Sequence, residues 1–285
     1  MKFELDYIKD VDKLVPCPHI ALEVMGLANA SDCDLSRLAN RVEQDPSLTA
    51  NMLRFANSAY FGHMKKINSI VDIIVRLGLE SVKLIAIAGA SAGILKSSQE
   101  AYGLDAGQLS RHSFATAVLA SIIGRYAKAQ EGSALYTAAL LHDVGKLPLN
   151  DPLQQAVFGR GMPEKRASSV ELERQLLNTD HARIGMLLLQ GWGLPDKITV
   201  PVGMHHTIDH PKSKFLICRI VYLANFLTES VGIHALDPAD NIFDLKFSLD
   251  HEVPLPEVPG FEANMQAIME EFHDSYNETI AVFDL

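Results

Sequence analysis

Apolar residues recur at helical spacing along almost the whole chain, and this regularity constrains the fold more than any other feature. Leu35, Leu38, Ala39 and Val42 precede Asp45-Pro46, and Leu48, Met52, Leu53, Phe55 and Ala56 follow it; positions three and four apart share one face of a helix. The alternation that marks half-buried strands is nearly absent, so the chain is predicted to be all-α. Pro46 disfavours helical geometry at the residue before it and itself suits a first helical turn. Asp45-Pro46-Ser47 therefore reads as one helix ending and the next being capped.

The same reading extends downstream. Ser69 to Leu77 and Val82 to Leu95 are two apolar helices joined by a glycine turn at Gly78. The composition turns polar between Ser97 and Gly107, which sets a lobe boundary there and divides the chain into a lobe over 1–105, a core over 106–235 and an acidic extension over 236–285. In the core, one helical run starts at Leu109 and another spans Ser133 to Leu147, while Asn150 to Ser169, with Pro152, Gly159, Gly161 and Pro163, reads as a helix interrupted by turns. Phe261 to Tyr276 is an acidic amphipathic helix, expected to pack back on the body.

With 285 residues and 48% hydrophobic content the chain can bury a large interior. Its formal net charge of -10 opposes nucleic acid. Lys65-Lys66 and Lys165-Arg166 are too short to make a compensating basic stripe, so no nucleic-acid partner is expected. Three cysteines, Cys17, Cys33 and Cys218, form no CxxC pair and no disulfide framework. The first residues mix acids with apolar side chains and lack a signal peptide's apolar core, and no apolar stretch is long enough for a bilayer. A cytoplasmic protein without membrane contact is expected.

The sharpest local feature is Leu140-Leu141-His142-Asp143-Val144-Gly145-Lys146. An imidazole beside a carboxylate can hold a divalent cation, the nitrogen suiting zinc, iron, manganese or nickel and the carboxylate adding negative charge that can bridge two ions. The plainer reading makes His142 a cap on the last carbonyls of its helix and Lys146 a cation near a helix C-terminus. Further histidines lie on separate helical segments: His112 on an apolar helix, His181 after Asp180, and the pair His205-His206. A helical metal site needs such residues from distant positions. His19, His63, His210, His234, His251 and His273 lack this context and read as surface or structural.

In order along the chain, His112, His142-Asp143 with Gly145-Lys146, Asp180-His181 with Trp192-Gly193-Leu194-Pro195, and His205-His206 resemble the motif set of the HD phosphohydrolase superfamily. Leu14-Val15-Pro16, Asp45-Pro46-Ser47-Leu48, the run Leu53-Arg54-Phe55-Ala56-Asn57-Ser58-Ala59-Tyr60-Phe61, Ile67-Asn68-Ser69-Ile70 and Arg76-Leu77-Gly78 resemble its HDOD branch. The resemblance implies a helical lobe packed on an HD-like multi-helix core and a role in bacterial signal transduction. It implies metal ligands at His112, His142, Asp143 and Asn225, with His181, His205 and His206 around a second ion bridged by Asp143. The metal would be a divalent one (Fe, Mn, Zn, Ni or Mg). Asn225 departs from the pattern, because an aspartate is expected there and a neutral amide binds metal more weakly. The glycine-tyrosine-proline signature of cyclic-di-GMP phosphodiesterases is missing after His206, where Thr207-Ile208-Asp209-His210-Pro211 stands instead.

Two functions follow from these residues. One is a regulatory module that binds a signalling protein or a small nucleotide ligand without turnover. The other is a metal-dependent phosphohydrolase, with Asp143 and Lys146 as catalytic residues and the Lys146 ammonium stabilising charge on a phosphoryl oxygen. Within the run Arg54 to Phe61, Asn57 and Ser58 are expected to bond to neighbouring backbone while Tyr60 and Phe61 fill core.

Overall fold

The structure is a computed structural model that describes residues 15–30, 32–57, 67–160, 168–207, 209–210, 214–230, 233 and 255–283. Four helices form the N-terminal lobe: α1 (His19–Asn29), α2 (Leu35–Glu43), α3 (Pro46–Ala56) and α4 (Ile70–Ser91). Capping follows the sequence closely. Asp34 accepts from the backbone N–H of Ser36 and Arg37 at the start of α2, Asp45 from Leu48 beside α3, and Ser69 from Asp72 at the start of α4. The helical stripes Leu38 and Val42, Leu48 and Met52, and Ile70 and Ile73 are all buried together. α4 is two helical pieces meeting at Gly78, whose φ of 77° is a left-handed conformation that side-chain-bearing residues resist.

Asn57 closes α3 by donating to the carbonyls of Leu53 and Ile67 and accepting from the N–H of Ile67, as the sequence suggests. Ser58, Tyr60 and Phe61 lie outside the described residues.

The core is built around α5 (Gln108–Tyr126). From Leu109 to Gly124 every residue but Arg111 is buried, so this helix is covered on all sides. Around and beyond it run α6 (Gly132–Leu140), α7 (Lys146–Arg160), α8 (Ser169–Leu177), α9 (His181–Gly191), α10 (Asp196–Met204), α11 (Leu216–Ser230) and α12 (Phe261–Phe283). α6, α11 and α12 pack directly on α5, α10 bridges α6, α9 and α11, and α4 packs on α6 to join lobe to core. The acidic helix α12 packs on the body as expected, through buried Phe261, Ile268, Phe272 and Tyr276 and an ion pair of Glu271 with Arg125. Among the described residues there is no strand, and no helix is long and apolar enough to cross a membrane.

Two local expectations are corrected. The helix predicted from Ser133 to Leu147 stops at Leu140, and residues 141–145 form a tight turn held by short-range bonds such as Val144 N–H to Leu141 O and Lys146 N–H to Asp143 O. Lys146 is consequently the first residue of α7, not a cation near a helix C-terminus. α7 in turn runs unbroken to Arg160 with Pro152 inside it, where a turn was expected. The segment 161–167, which contains Gly161 and Pro163, lies outside the described residues.

Candidate metal centre

The turn between α6 and α7 carries His142 and Asp143 into the centre of the core, where they are 0% and 1% exposed. Gly145 makes this placement possible. A Cβ on it would sit 2.0 Å from the carbonyl oxygen of His181 and 2.6 Å from the backbone nitrogen of Gly185, so the turn lies directly on the first turn of α9. The glycine after the His-Asp pair thus brings Asp143 up against His181.

All seven candidate metal ligands named from the sequence converge, in two groups on either side of Asp143. On one side stand His112 of α5, His142 and Asn225 of α11. His112 Nε2 donates to Asn225 Oδ1 at 2.9 Å and lies 3.3 Å from His142 Nε2; Asp143 Oδ2 is 3.4 Å from His142 Nε2 and 3.9 Å from His112 Nε2. The pairing of α5 with α11 is reinforced one turn on, where the hydroxyls of Thr116 and Thr228 meet at 2.9 Å. On the other side stand His181, His205 and His206. His181 Nε2 is 3.1 Å from Asp143 Oδ1, 2.9 Å from His206 Nε2 and 3.3 Å from His205 Nε2, and His205 Nε2 is 3.7 Å from Asp143 Oδ1.

Three imidazoles are locked in one orientation by their other nitrogen. His142 Nδ1 donates to the Ala139 carbonyl at 2.7 Å, His205 Nδ1 to the Val202 carbonyl at 2.6 Å, and His181 Nδ1 to the carboxylate of Glu173 at 2.8 Å. Each bond fixes the tautomer and turns Nε2 toward Asp143, the usual arrangement behind a ligating histidine. The capping role considered for His142 is therefore real, and it serves the same geometry as ligation.

The electrostatics are those of a dry, crowded cluster. Burial and the neighbouring imidazole of His142 push His112 down to about 3, burial pushes His205 down to about 4, and burial with His205 and His181 nearby holds His206 well below the usual range. Burial also opposes charge on His181, yet the Glu173 and Asp143 carboxylates raise it to about 9. Asp143 stays ionised: burial works against it, but Lys146 and the imidazoles of His142 and His181 hold it well below the carboxylate range. Lys146 Nζ donates to Asp143 Oδ2 at 2.6 Å and lies 5.7 Å from the ring centre of Tyr102.

Whether the cluster suits a metal is decided by the donors themselves. Asp143 Oδ1 is fully buried and makes no hydrogen bond of acceptable geometry, although imidazole nitrogens surround it. An unsatisfied buried carboxylate oxygen amid inward-facing Nε2 atoms is costly unless a cation joins them. One ligand atom from each of Asp143, His181, His205 and His206 falls within 4.8 Å of the others, as do those of His112, His142 and Asp143. Imidazole with carboxylate suits a divalent transition metal.

Sequence reasoning missed Glu173. It is 0% exposed on α8, and it also accepts the backbone N–H of His181 at 2.7 Å. The signal was present, since Glu173 falls three residues after buried Val170 and four before Leu177, on the inward face of the helix. Asp180, quoted with His181, is instead the N-cap of α9 and is paired with Arg174. Of the histidines set aside, His19 and His210 are exposed and His273 is partly buried, while His63, His234 and His251 lie outside the described residues.

Comparison with known proteins agrees with this architecture. A crystal structure of an HDOD domain protein of unknown function from Geobacter sulfurreducens matches with a TM-score of 0.68 at 23% identity, covering 100% of this chain and 98% of that one. A Shewanella amazonensis SB2B protein, provisionally described as a metal-dependent phosphohydrolase, matches with a TM-score of 0.66 at 19% identity over 99% of both chains. Both likenesses establish the fold. An uncharacterized protein of Treponema pallidum (strain Nichols) is 27% identical over 225 residues, 74% of this chain, and the chain spans 40% of that protein's length. The HDOD domain model matches residues 14–208, most of the lobe and much of the histidine cluster, and the chain belongs to the HDOD domain family.

Proposed function

We propose that this protein is a regulatory HDOD module in signal transduction, acting by binding a protein partner or a small nucleotide ligand, with a divalent ion held in its histidine cluster and no turnover. The division into a lobe over 1–105, a core over 106–235 and an extension over 236–285 belongs to the same proposal. The observation that carries it is the state of Asp143. It is buried, its Oδ2 is already bonded to the Lys146 ammonium, and Asn225 supplies no second charge. His142, Asp143, His181 and His205 are at most 1% exposed, and of the group around Asp143 Oδ1 His206 alone is partly exposed, which leaves a phosphoester little access to Asp143. The signalling role is supported by the family and by a likeness in fold to a Marinobacter aquaeolei VT8 protein provisionally described as a signal transduction protein.

His181, His205, His206 and Asp143 would hold the ion, with His112, His142 and Asn225 as the second candidate set. When bound, such an ion would neutralise the buried Asp143 carboxylate and hold the surrounding helices together. A second reading, a phosphohydrolase, is favoured by the position of Lys146 next to the cluster; in it Lys146 leaves Asp143 and stabilises charge on a phosphoryl oxygen. The test is a turnover screen of the full chain, supplied with Mn, Fe, Zn, Ni or Mg, over nucleotides and cyclic dinucleotides. No product is expected. Product formation that disappears in Asp143→Ala would replace the regulatory reading with the hydrolase.

A further inference from the structure

The two groups around Asp143 are unequal, and the inequality lies in how their donors are already satisfied. In the first group, Asp143 Oδ2 accepts the Lys146 ammonium at 2.6 Å, and Asn225 Oδ1 accepts from His112 Nε2 at 2.9 Å. A metal entering there would have to displace a buried ammonium and break the His112–Asn225 bond. It would gain two imidazoles, a neutral amide and one shared carboxylate oxygen. If Lys146 stayed, two cations would face each other in a low-dielectric interior, where repulsion is strong.

The second group presents the opposite case. Asp143 Oδ1 has no hydrogen bond, His181 Nε2 lies 2.9 Å from His206 Nε2 and 3.3 Å from His205 Nε2, and the Glu173 carboxylate stands directly behind His181. The Asp143 and Glu173 carboxylates thus flank the His181 imidazole on this side, while the Lys146 ammonium pairs with Asp143 on the other. Each contact that is unfavourable without an ion becomes a ligand or an outer partner with one.

We propose that this chain holds a single divalent cation, in the group formed by Asp143 Oδ1, His181, His205 and His206, and that the Lys146 ammonium occupies the place of a cation at the His112–His142–Asn225 group. This rests on the metal-binding part of the reading above and deepens it. Lys146 is then a structural counter-charge, and the departure at Asn225 matches it: a site that holds an ammonium permanently has no need of a second carboxylate.

The experiment is metal stoichiometry and affinity of the full chain, stripped and then reloaded with Mn2+ or Zn2+, by elemental analysis after desalting and by calorimetric titration. The expected result is one ion per chain in the wild type and in His112→Ala, and affinity lowered at least tenfold in His206→Ala. The double variant Lys146→Met/Asn225→Asp is expected to take up a second ion. His205→Gln serves as a second ligand variant, and far-ultraviolet circular dichroism confirms that each variant is folded. Two ions in the wild type, or loss of the ion in His112→Ala with retention in His206→Ala, would overturn the inference and leave the metal-binding reading standing. No ion in the wild type with either metal, nor with Fe2+ or Ni2+, would overturn both.

Discussion

Glu173 grips His181 twice: its carboxylate accepts from the ring Nδ1 at 2.8 Å and from the backbone N–H of the same residue at 2.7 Å. This one side chain thereby fixes both the start of α9 and the direction in which the imidazole points. Removing an outer partner of this kind weakens metal affinity by about 10–100-fold. Glu173→Gln keeps the size and one acceptor oxygen, so it should lower Mn2+ or Zn2+ affinity by that factor while changing the melting temperature little. Glu173→Ala strands two buried donors and should also cost roughly 1–3 kcal/mol for each in urea unfolding. Equal affinity in Glu173→Gln and the wild type would show that the carboxylate does not orient His181 for binding.

Gly145 offers a test of how the site is assembled. The turn carrying His142 and Asp143 approaches α9 so closely that any Cβ at this position would meet backbone, not a side chain that can swing away. Gly145→Ala must push the turn from α9, separating Asp143 from His181. Overpacking of this sort costs about 1–3 kcal/mol, and more where backbone has to move. The variant is expected to unfold at lower urea concentration and to lose bound metal, whereas Gly159→Ala, with open space around its Cβ, should do neither.

The helices and the ligand set could be read from the chain because each rests on local information. Periodic apolar spacing finds a helix without knowledge of its neighbours, and the ordered histidines resemble a family pattern residue by residue. What escaped depends on contacts between distant segments. Glu173 shares the inward face of α8 with Val170 and Leu177, but a carboxylate beside Glu171, which caps the helix, gives no local sign of what it pairs with. Only its partner eight residues on, brought back by the turn at Asn178, shows why it is buried. Residues 141–145 turn instead of continuing α6, and at Gly145 that turn rests on the backbone of α9, a contact between distant segments. Lys146 was placed at a helix C-terminus for the same reason. At the N-terminus of α7 its charge opposes the helix dipole, and the bond to Asp143 offsets that.

Trp192 ties the core to the start of the N-terminal lobe. Its indole N–H donates to the carbonyl of Val15 at 3.0 Å, across 177 residues, and its ring is 4% exposed. Trp192→Phe retains most of the apolar contact and removes the donor. The expected loss is about 1 kcal/mol, the net worth of one such bond, with an added penalty for the smaller ring. The variant should melt several degrees lower while binding metal as before, since no cluster residue touches the indole N–H. An unchanged melting temperature would mean that this bond contributes nothing to joining lobe and core.

The histidine cluster also sets how the metal-free protein responds to pH. His112 and His205 stay neutral in the folded state down to about 3 and about 4, and His206 is likewise held well below its ordinary value, against about 6.5 in an unfolded chain. Below 6.5 the unfolded state therefore binds more protons than the folded one, and stability falls as pH drops from 6.5 toward 4. Each group contributes a slope of roughly 1.4 kcal/mol per pH unit. His181 acts in the opposite direction. Raised to about 9, it binds its proton more tightly when folded, so its contribution is complete below 6.5 and is lost as pH rises from 6.5 to 9. Both trends cap stability near pH 6.5, and with three histidines on the acid side and one on the alkaline side the fall should be about three times as steep toward acid. Urea unfolding of the metal-free chain at half-unit steps from pH 4.5 to 9 checks this. His205→Gln removes one of the three acid-side groups and should lower the acid slope by about a third; a profile as steep as the wild type's would mean that His205 is not held neutral in the folded protein.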